Sequence, residues 1–173
     1  MQTEHTTRKA QRLRVLVVLG EGGHTVEMIR LVDLLGPKYE YHYMLVKEET
    51  LSEKKIHIPG PTYACNRPQW KVEPQGKVLL RYLRLTWQSL WVLARARPHA
   101  LLHSGPGIAI PVAVLAWLFC IPIIYVENGA RVHHPSRTGR LMYRLANLFF
   151  VQWPELQEEV FPEAIYAGML HGA

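Results

Sequence analysis

Three glycines, a histidine and a threonine stand together in Gly20-Glu21-Gly22-Gly23-His24-Thr25, immediately after an apolar run from Val15 to Leu19. The run is valine and leucine throughout and has no helical period, which suits a strand buried on both faces. Thr25 to Leu35 reads as the helix that follows. Glycines let the backbone turn sharply and come close to a ligand. A helix N-terminus behind such a turn offers unpaired N–H groups and the positive end of the helix dipole to an anion. Gly20, Gly22, Gly23 and Thr25 are therefore candidate phosphate ligands. His24 is a candidate for proton transfer, because an imidazole titrates close to neutrality.

A second turn, Ser104-Gly105-Pro106-Gly107, follows another apolar run at Ala100 to His103. Two glycine turns side by side, each opening a helix, would aim two sets of N–H groups at one anion, and a diphosphate would use both. Ser104, Gly105 and Gly107 join the candidate ligands on that ground. A third cluster, Glu127-Asn128-Gly129 with Arg131, adds Asn128 and Arg131 as anion ligands and Glu127 as a second proton-transfer candidate. Each candidate base has a plainer alternative. His24 could simply bond a carbonyl beside the helix start, and Glu127 could tie down Arg131. With Lys47-Glu48-Glu49 and Trp153-Pro154-Glu155, five polar segments sit at the carboxyl ends of expected strands, the edge where open parallel sheets bind ligands.

Other chemistries fit less well. A dinucleotide fingerprint needs a third glycine where Thr25 stands, and an acidic residue about 20 residues on, at the end of the second strand. Tyr39 to Val46 runs instead into Lys47-Glu48-Glu49, which leaves a nucleotide-dependent oxidoreductase as the weaker alternative. No Gly-Lys-Ser/Thr follows the turn, so it is not a P-loop, and neither a Gly-x-Ser-x-Gly elbow nor a Cys–His arrangement is present. His133 and His134 are adjacent, so their side chains point apart, and no third residue is spaced to complete a metal site. Cys65 and Cys120 make no disulfide framework, and a reducing compartment without a bond between them is expected. The formal net charge of +6 favours an anionic partner. Nucleic acid is not expected, since no module for it accompanies the basic residues.

The elements that must position these residues alternate along the chain. A basic polar segment at residues 1–12 is neither signal peptide nor membrane anchor. Residues 13–173 read as one domain, long enough to bury its own core. Strands are expected at Leu13 to Leu19, Tyr39 to Val46, Ala100 to His103, Pro122 to Val126, Leu148 to Gln152 and Ala164 to Ala167, with a short one near Lys55 to Ile58. Helices are expected at Thr25 to Leu35, Lys77 to Arg97, Ile108 to Phe119, Thr138 to Leu145 and from Trp153-Pro154 to Val160. Strand and helix in regular turn predict a Rossmann-like α/β fold, a doubly wound and mostly parallel sheet.

Two stretches bear on membranes. Ile108 to Val126 is apolar enough to suggest a span, but Pro111 and Pro122 break it into a buried helix and a central strand. Lys77 to Arg97 carries Lys77, Arg81, Arg84, Arg95 and Arg97 among apolar and aromatic residues, with no acidic residue. Such a helix lies on anionic membrane surfaces or packs on the sheet with its arginines in water. Arg81, Arg84, Trp87 and Trp91 are the candidate membrane contacts.

Four motifs in order resemble those of a known family: Gly20-Glu21-Gly22-Gly23-His24-Thr25-Val26-Glu27-Met28, Ser104 to Gly107, Tyr125-Val126-Glu127-Asn128 with Arg131, and Phe150-Val151-Gln152-Trp153-Pro154. That family is the acceptor-binding, membrane-anchoring subunit of the split UDP-N-acetylglucosamine transferase of asparagine-linked glycosylation, with its bacterial exopolysaccharide relatives. The motifs are also similar to the N-terminal half of the GT-B enzyme that forms lipid II. The resemblance implies the N-terminal half of a GT-B glycosyltransferase and an inverting transfer from a UDP-sugar to a polyprenyl-diphosphate-linked sugar. It implies a separate donor-binding catalytic subunit as partner, a polyprenyl-diphosphate-sugar acceptor and work at the cytoplasmic face of a membrane. No cofactor is expected, the UDP-sugar being a co-substrate held mainly by the partner. A non-catalytic scaffold that only recruits the partner to the membrane is the alternative.

Overall fold

The computed structural model describes residues 12–49, 51–68 and 75–170, the last from its backbone alone at 75–77. Its centre is β1 (Arg14–Val18), flanked by β2 (Glu40–Val46) and β4 (Ala100–His103). The others are β3 (Thr62–Cys65), β5 (Ile123–Val126), β6 (Leu148–Val151) and β7 (Ile165–Tyr166). They form one sheet in the order β3-β2-β1-β4-β5-β6-β7, with every neighbouring pair parallel. The chain thus winds outward from β1 to β3, returns, and winds outward again from β4 to β7. The direction reverses between β1 and β4, which opens a crevice at their carboxyl ends.

Helices α1 (Gly23–Leu35), α2 (Leu51–Lys54), α3 (Gln75–Ala96), α4 (Ala109–Leu118), α5 (Arg137–Leu145) and α6 (Pro154–Glu159) make the crossovers. Two core layers follow from the strand period. Leu16 and Val18 of β1 pack with Leu85, Val92 and Leu93 of α3, with α4, and with Met142 of α5. Val15, Val17 and Leu19 face the other way, against Met28, Ile29 and Val32 of α1. Apolar residues on both faces of β1 are what a central parallel strand requires. Beyond α1, on that second face, an apolar groove of about 560 Å³ runs over Leu102, Ile124, Val126 and Phe150, edged by Met169 and Leu170.

The expected elements recur with ends moved by one or two residues, apart from one correction. The short strand near Lys55 to Ile58 is absent; α2 lies at Leu51–Lys54 and β3 at Thr62–Cys65. The Glu49 carboxylate accepts the N–H groups of Leu51 (2.8 Å) and Ser52 (3.1 Å), which caps a helical turn there. Pro59 and Pro61 then delay pairing until the chain has passed them. Cys65 is buried, Cys120 is exposed and both are free. Among the described residues no helix is long and apolar enough to cross a membrane. The apolar run expected to break does so: α4 ends at Leu118 and β5 begins at Ile123.

Candidate functional site at the sheet reversal

The first two glycine turns meet at the β1/β4 reversal. A Cβ on Gly20 would collide with the ring of Pro106, so the turns approach as closely as they do because residue 20 has no side chain. Gly22 (φ +59°) and Gly105 (φ +88°) hold left-handed conformations that favour glycine, and a Cβ on Gly105 would lie 2.8 Å from the Tyr125 hydroxyl. A cleft of about 290 Å³ opens there, lined by Gly20, Glu21, His24, Arg67, Gly105 and Gly107, with Tyr82 of α3 on its rim.

His24 occupies the first turn of α1. Its Nδ1 lies 3.0 Å from the Ser104 hydroxyl, so the two turns are joined through the candidate base and Nε2 is the ring atom left for a ligand. Burial lowers the His24 pKa from its ordinary value, and nearby Arg131 works in the same direction; the Glu27 carboxylate and the Ser104 bond oppose them. A neutral imidazole follows at neutral pH, able to accept a proton. Gly23 faces Asn128, whose Nδ2 would lie 3.8 Å from an added Cβ. Gly107, Arg131, Gly22 and Gly23 are exposed at this edge.

Three expected site residues are turned inward. Thr25 is 1 % exposed, and its hydroxyl donates to the Gly20 carbonyl (2.9 Å) and meets Ser52 Oγ (2.8 Å). It braces the turn from below and does not face the cleft. Ser104 is likewise buried and acts on His24. Glu127 is fully buried; it accepts from the Tyr125 hydroxyl (3.3 Å), the Asn128 N–H (3.1 Å) and the Ser136 hydroxyl (3.1 Å). Those partners stand in place of the tie to Arg131 that was the plainer alternative for Glu127. Glu127 Oε2 also fills the space where a side chain on Gly139 would stand, which fastens the start of α5 to β5.

Sequence reading missed Glu27 and Gln152. Glu27 Oε1 accepts from Gly129 N–H (2.7 Å) and Gln152 Nε2 (3.2 Å), and its Oε2 accepts from Asn128 Nδ2 (3.1 Å). Gln152 Nε2 also donates to the Glu127 carbonyl (3.0 Å), and Trp153 Nε1 donates to the Gly129 carbonyl (2.6 Å). A buried acid one helical turn after His24 was the available signal. Also missed was His103, whose Nδ1 accepts from Gly105 N–H (3.2 Å). Burial, aided by His24, lowers its pKa to about 3. Arg67, on the loop after β3, pairs with Glu21 across the cleft mouth.

On α3 the candidate membrane contacts divide. Trp87 is 73 % exposed and Trp91 57 %, in line with exposed Leu80 and Leu83 at helical spacing. Arg84 is exposed and Arg81 half-buried. Leu85, Val92 and Leu93 supply the face on the sheet, so the helix is apolar on two sides. Trp117, Leu118 and Phe119 at the end of α4, which packs beside α3, are exposed too. Among the described residues no cluster could hold a metal ion.

The profile of the family "Oligosaccharide biosynthesis protein Alg14 like" matches residues 15–170. Among curated relatives, the mouse "UDP-N-acetylglucosamine transferase subunit ALG14" is 32 % identical over 96 % of this chain and 87 % of its own length. The Saccharomyces cerevisiae protein of that name is 30 % identical over 91 % of this chain and 77 % of its own length. Acinetobacter baumannii MurG shares the fold at TM-score 0.67 and 17 % identity, over 83 % of this chain and 42 % of that one. A UDP-N-acetylglucosamine 2-epimerase does so at TM-score 0.68 and 15 % identity, over 91 % and 46 %. The chain therefore spans under half the length of either solved structure, corresponding to one half of a GT-B-type architecture. The length of the profile match, with relatives at this identity over nearly the whole chain, means that the chain belongs to the Alg14-like family of oligosaccharide biosynthesis proteins.

Proposed function

We propose that this chain is the acceptor-binding subunit of a two-subunit inverting transferase, moving N-acetylglucosamine from its UDP donor to a polyprenyl-diphosphate-linked sugar. The observation that carries the reading is the abutment of two glycine turns at the sheet reversal, joined through His24 and Ser104. Turns fixed in advance present N–H groups to a diphosphate without reorganisation, which is where electrostatic catalysis gains most. Gly20, Gly22, Gly23, Gly107 and Asn128 bind the diphosphate, and Arg131 adds a cation; Gly105, expected among them, gives its N–H to His103 Nδ1 and shapes the turn instead.

His24 Nε2 takes the proton from the attacking acceptor hydroxyl. That oxygen displaces UDP from the anomeric carbon with inversion, and the UDP departs with the donor-binding partner. Glu127 is too enclosed to reach the hydroxyl and instead fixes the Asn128 loop. The relatives' name calls them a subunit, and the apolar groove beside α1 is the surface where the partner docks. The Trp87 and Trp91 face of α3, with Arg84, rests on an anionic bilayer at the cytoplasmic side. Tyr82 links that face to the cleft, so a polyprenyl chain in the bilayer reaches the turns directly.

The test is transfer from UDP-N-acetylglucosamine to a polyprenyl-diphosphate-sugar by the chain co-purified with its donor-binding partner. Turnover by the complex but not by the chain alone supports the reading. A complex that transfers at full rate with His24→Ala and Glu127→Ala together overturns it in favour of a recruiting scaffold.

A further inference from the structure

Glu27 is a nearly fully buried acid, 2 % exposed, on the same helix as His24 and one turn further on. Its two oxygens gather N–H donors from three places: the Asn128 side chain, the Gly129 backbone and the Gln152 side chain. These lie after β5 and β6, whereas Glu27 and His24 lie on α1 after β1. One carboxylate thus ties the first glycine turn to two more of the loops along the same edge.

The fit around it leaves little freedom. A Cβ on Gly129 would stand 3.2 Å from Glu27 Oε1 and 3.1 Å from Gln152 Oε1. Asn128 is oriented at both ends, since its Oδ1 accepts from Ala130 N–H (2.9 Å) while its Nδ2 donates to Glu27. The Trp153 indole closes the same loop through the Gly129 carbonyl.

We propose that Glu27 is a positioning residue for the transfer. It locks the Asn128–Gly129 loop against the His24 turn, so that base and diphosphate site stand in fixed relation. The inference rests on the transferase reading above and deepens it. A second consequence follows from charge: the buried carboxylate favours the protonated imidazole and offsets part of the lowering that burial imposes on His24. Glu27 therefore makes His24 a stronger base than its enclosure alone would allow.

The decisive variant is Glu27→Gln, which keeps size and removes charge. In the chain co-purified with its partner, the His24 ring is followed by NMR through a pH titration, a measurement that needs no activity. Its pKa is expected to fall relative to the unmodified chain; an unchanged value overturns the charge argument. In the complex with the donor-binding partner, kcat is expected to fall at least tenfold, with the acidic limb of the pH–rate profile moved to lower pH. A variant that keeps both kcat and that limb overturns the proposal. If the unmodified complex transfers no sugar, the transferase reading fails, while the titration still decides the influence of Glu27 on His24.

Discussion

His24 and His103 sit on neighbouring turns of one edge, and burial suppresses the charge of both, with different consequences. His24 lines the cleft, and its lowered pKa leaves it neutral at neutral pH. His24→Ala in the complex is expected to lower kcat by about a hundred- to ten-thousand-fold, the usual loss for a general base, with a much smaller change in acceptor KM. Steady-state kinetics at several acceptor concentrations separate the two. His103 is wholly buried and titrates near 3 in the folded chain against an ordinary 6.5. The unfolded state therefore binds one more proton between those values, so stability falls as pH drops from about 6.5 towards 3. The slope from one such histidine approaches about 1.4 kcal/mol per pH unit within that window. Urea midpoints at pH 7 and pH 5 should differ less in His103→Gln than in the unmodified chain. At this scale the sequence was legible where a residue type implies its task. Glycines announced the turns, and the His24 singled out beside them does line the cleft. The inward orientation of Thr25, Ser104 and Glu127 was not legible, because a polar residue after a strand faces the cleft or the interior according to tertiary contacts. The Ser52 and Ser136 partners that settle it lie 27 and 9 residues away.

Elements were legible through their period, and the exception is instructive. Lys55 to Ile58 alternates like a strand, yet the Glu49 cap and two prolines move the pairing on to Thr62. A side-chain cap is a local choice that hydrophobic alternation does not register. The contact between turns likewise depended on topology, since Gly20 and Pro106 meet only because β4 pairs directly with β1. Gly20→Leu should force the turns apart and abolish measurable acceptor binding by the complex while circular dichroism stays helical and sheet-like. Loss of UDP-sugar binding with acceptor binding intact would mean that the cleft belongs to the donor. The double face of α3 makes a second expectation. Replacing Trp87 and Trp91 with serine removes exposed apolar surface, whereas Leu85 and Val92 keep the packing on the sheet. The Trp variant should sediment at least tenfold less with anionic liposomes at low salt and melt at nearly the same temperature. Unchanged sedimentation would assign the exposed face to a protein partner instead.

Among the described residues, the crevice at the sheet reversal, the apolar groove on the α1 face and the exposed apolar side of α3 lie on different surfaces. The five strand-end segments expected to converge do lie on one edge, because every strand pairing is parallel. The groove over Leu102, Ile124, Val126 and Phe150 leaves β4, β5 and β6 with apolar side chains facing open space on the α1 face. An apolar surface of that kind on a two-layered sheet is a binding surface or an aggregation hazard. The chain should therefore associate with itself or be poorly soluble when made alone, and become well behaved when co-expressed with the partner subunit proposed above. Ile124→Asp and Phe150→Asp place charge in the groove without touching the glycine turns. They are expected to abolish co-purification of the partner and hence transfer, while His24 in the free chain keeps its pKa by NMR. Full complex formation by both variants would place the partner elsewhere, on the α3 face or at the carboxyl edge. In that case the groove variants would leave sugar transfer intact, and the Trp87 and Trp91 substitutions would release the partner together with the membrane.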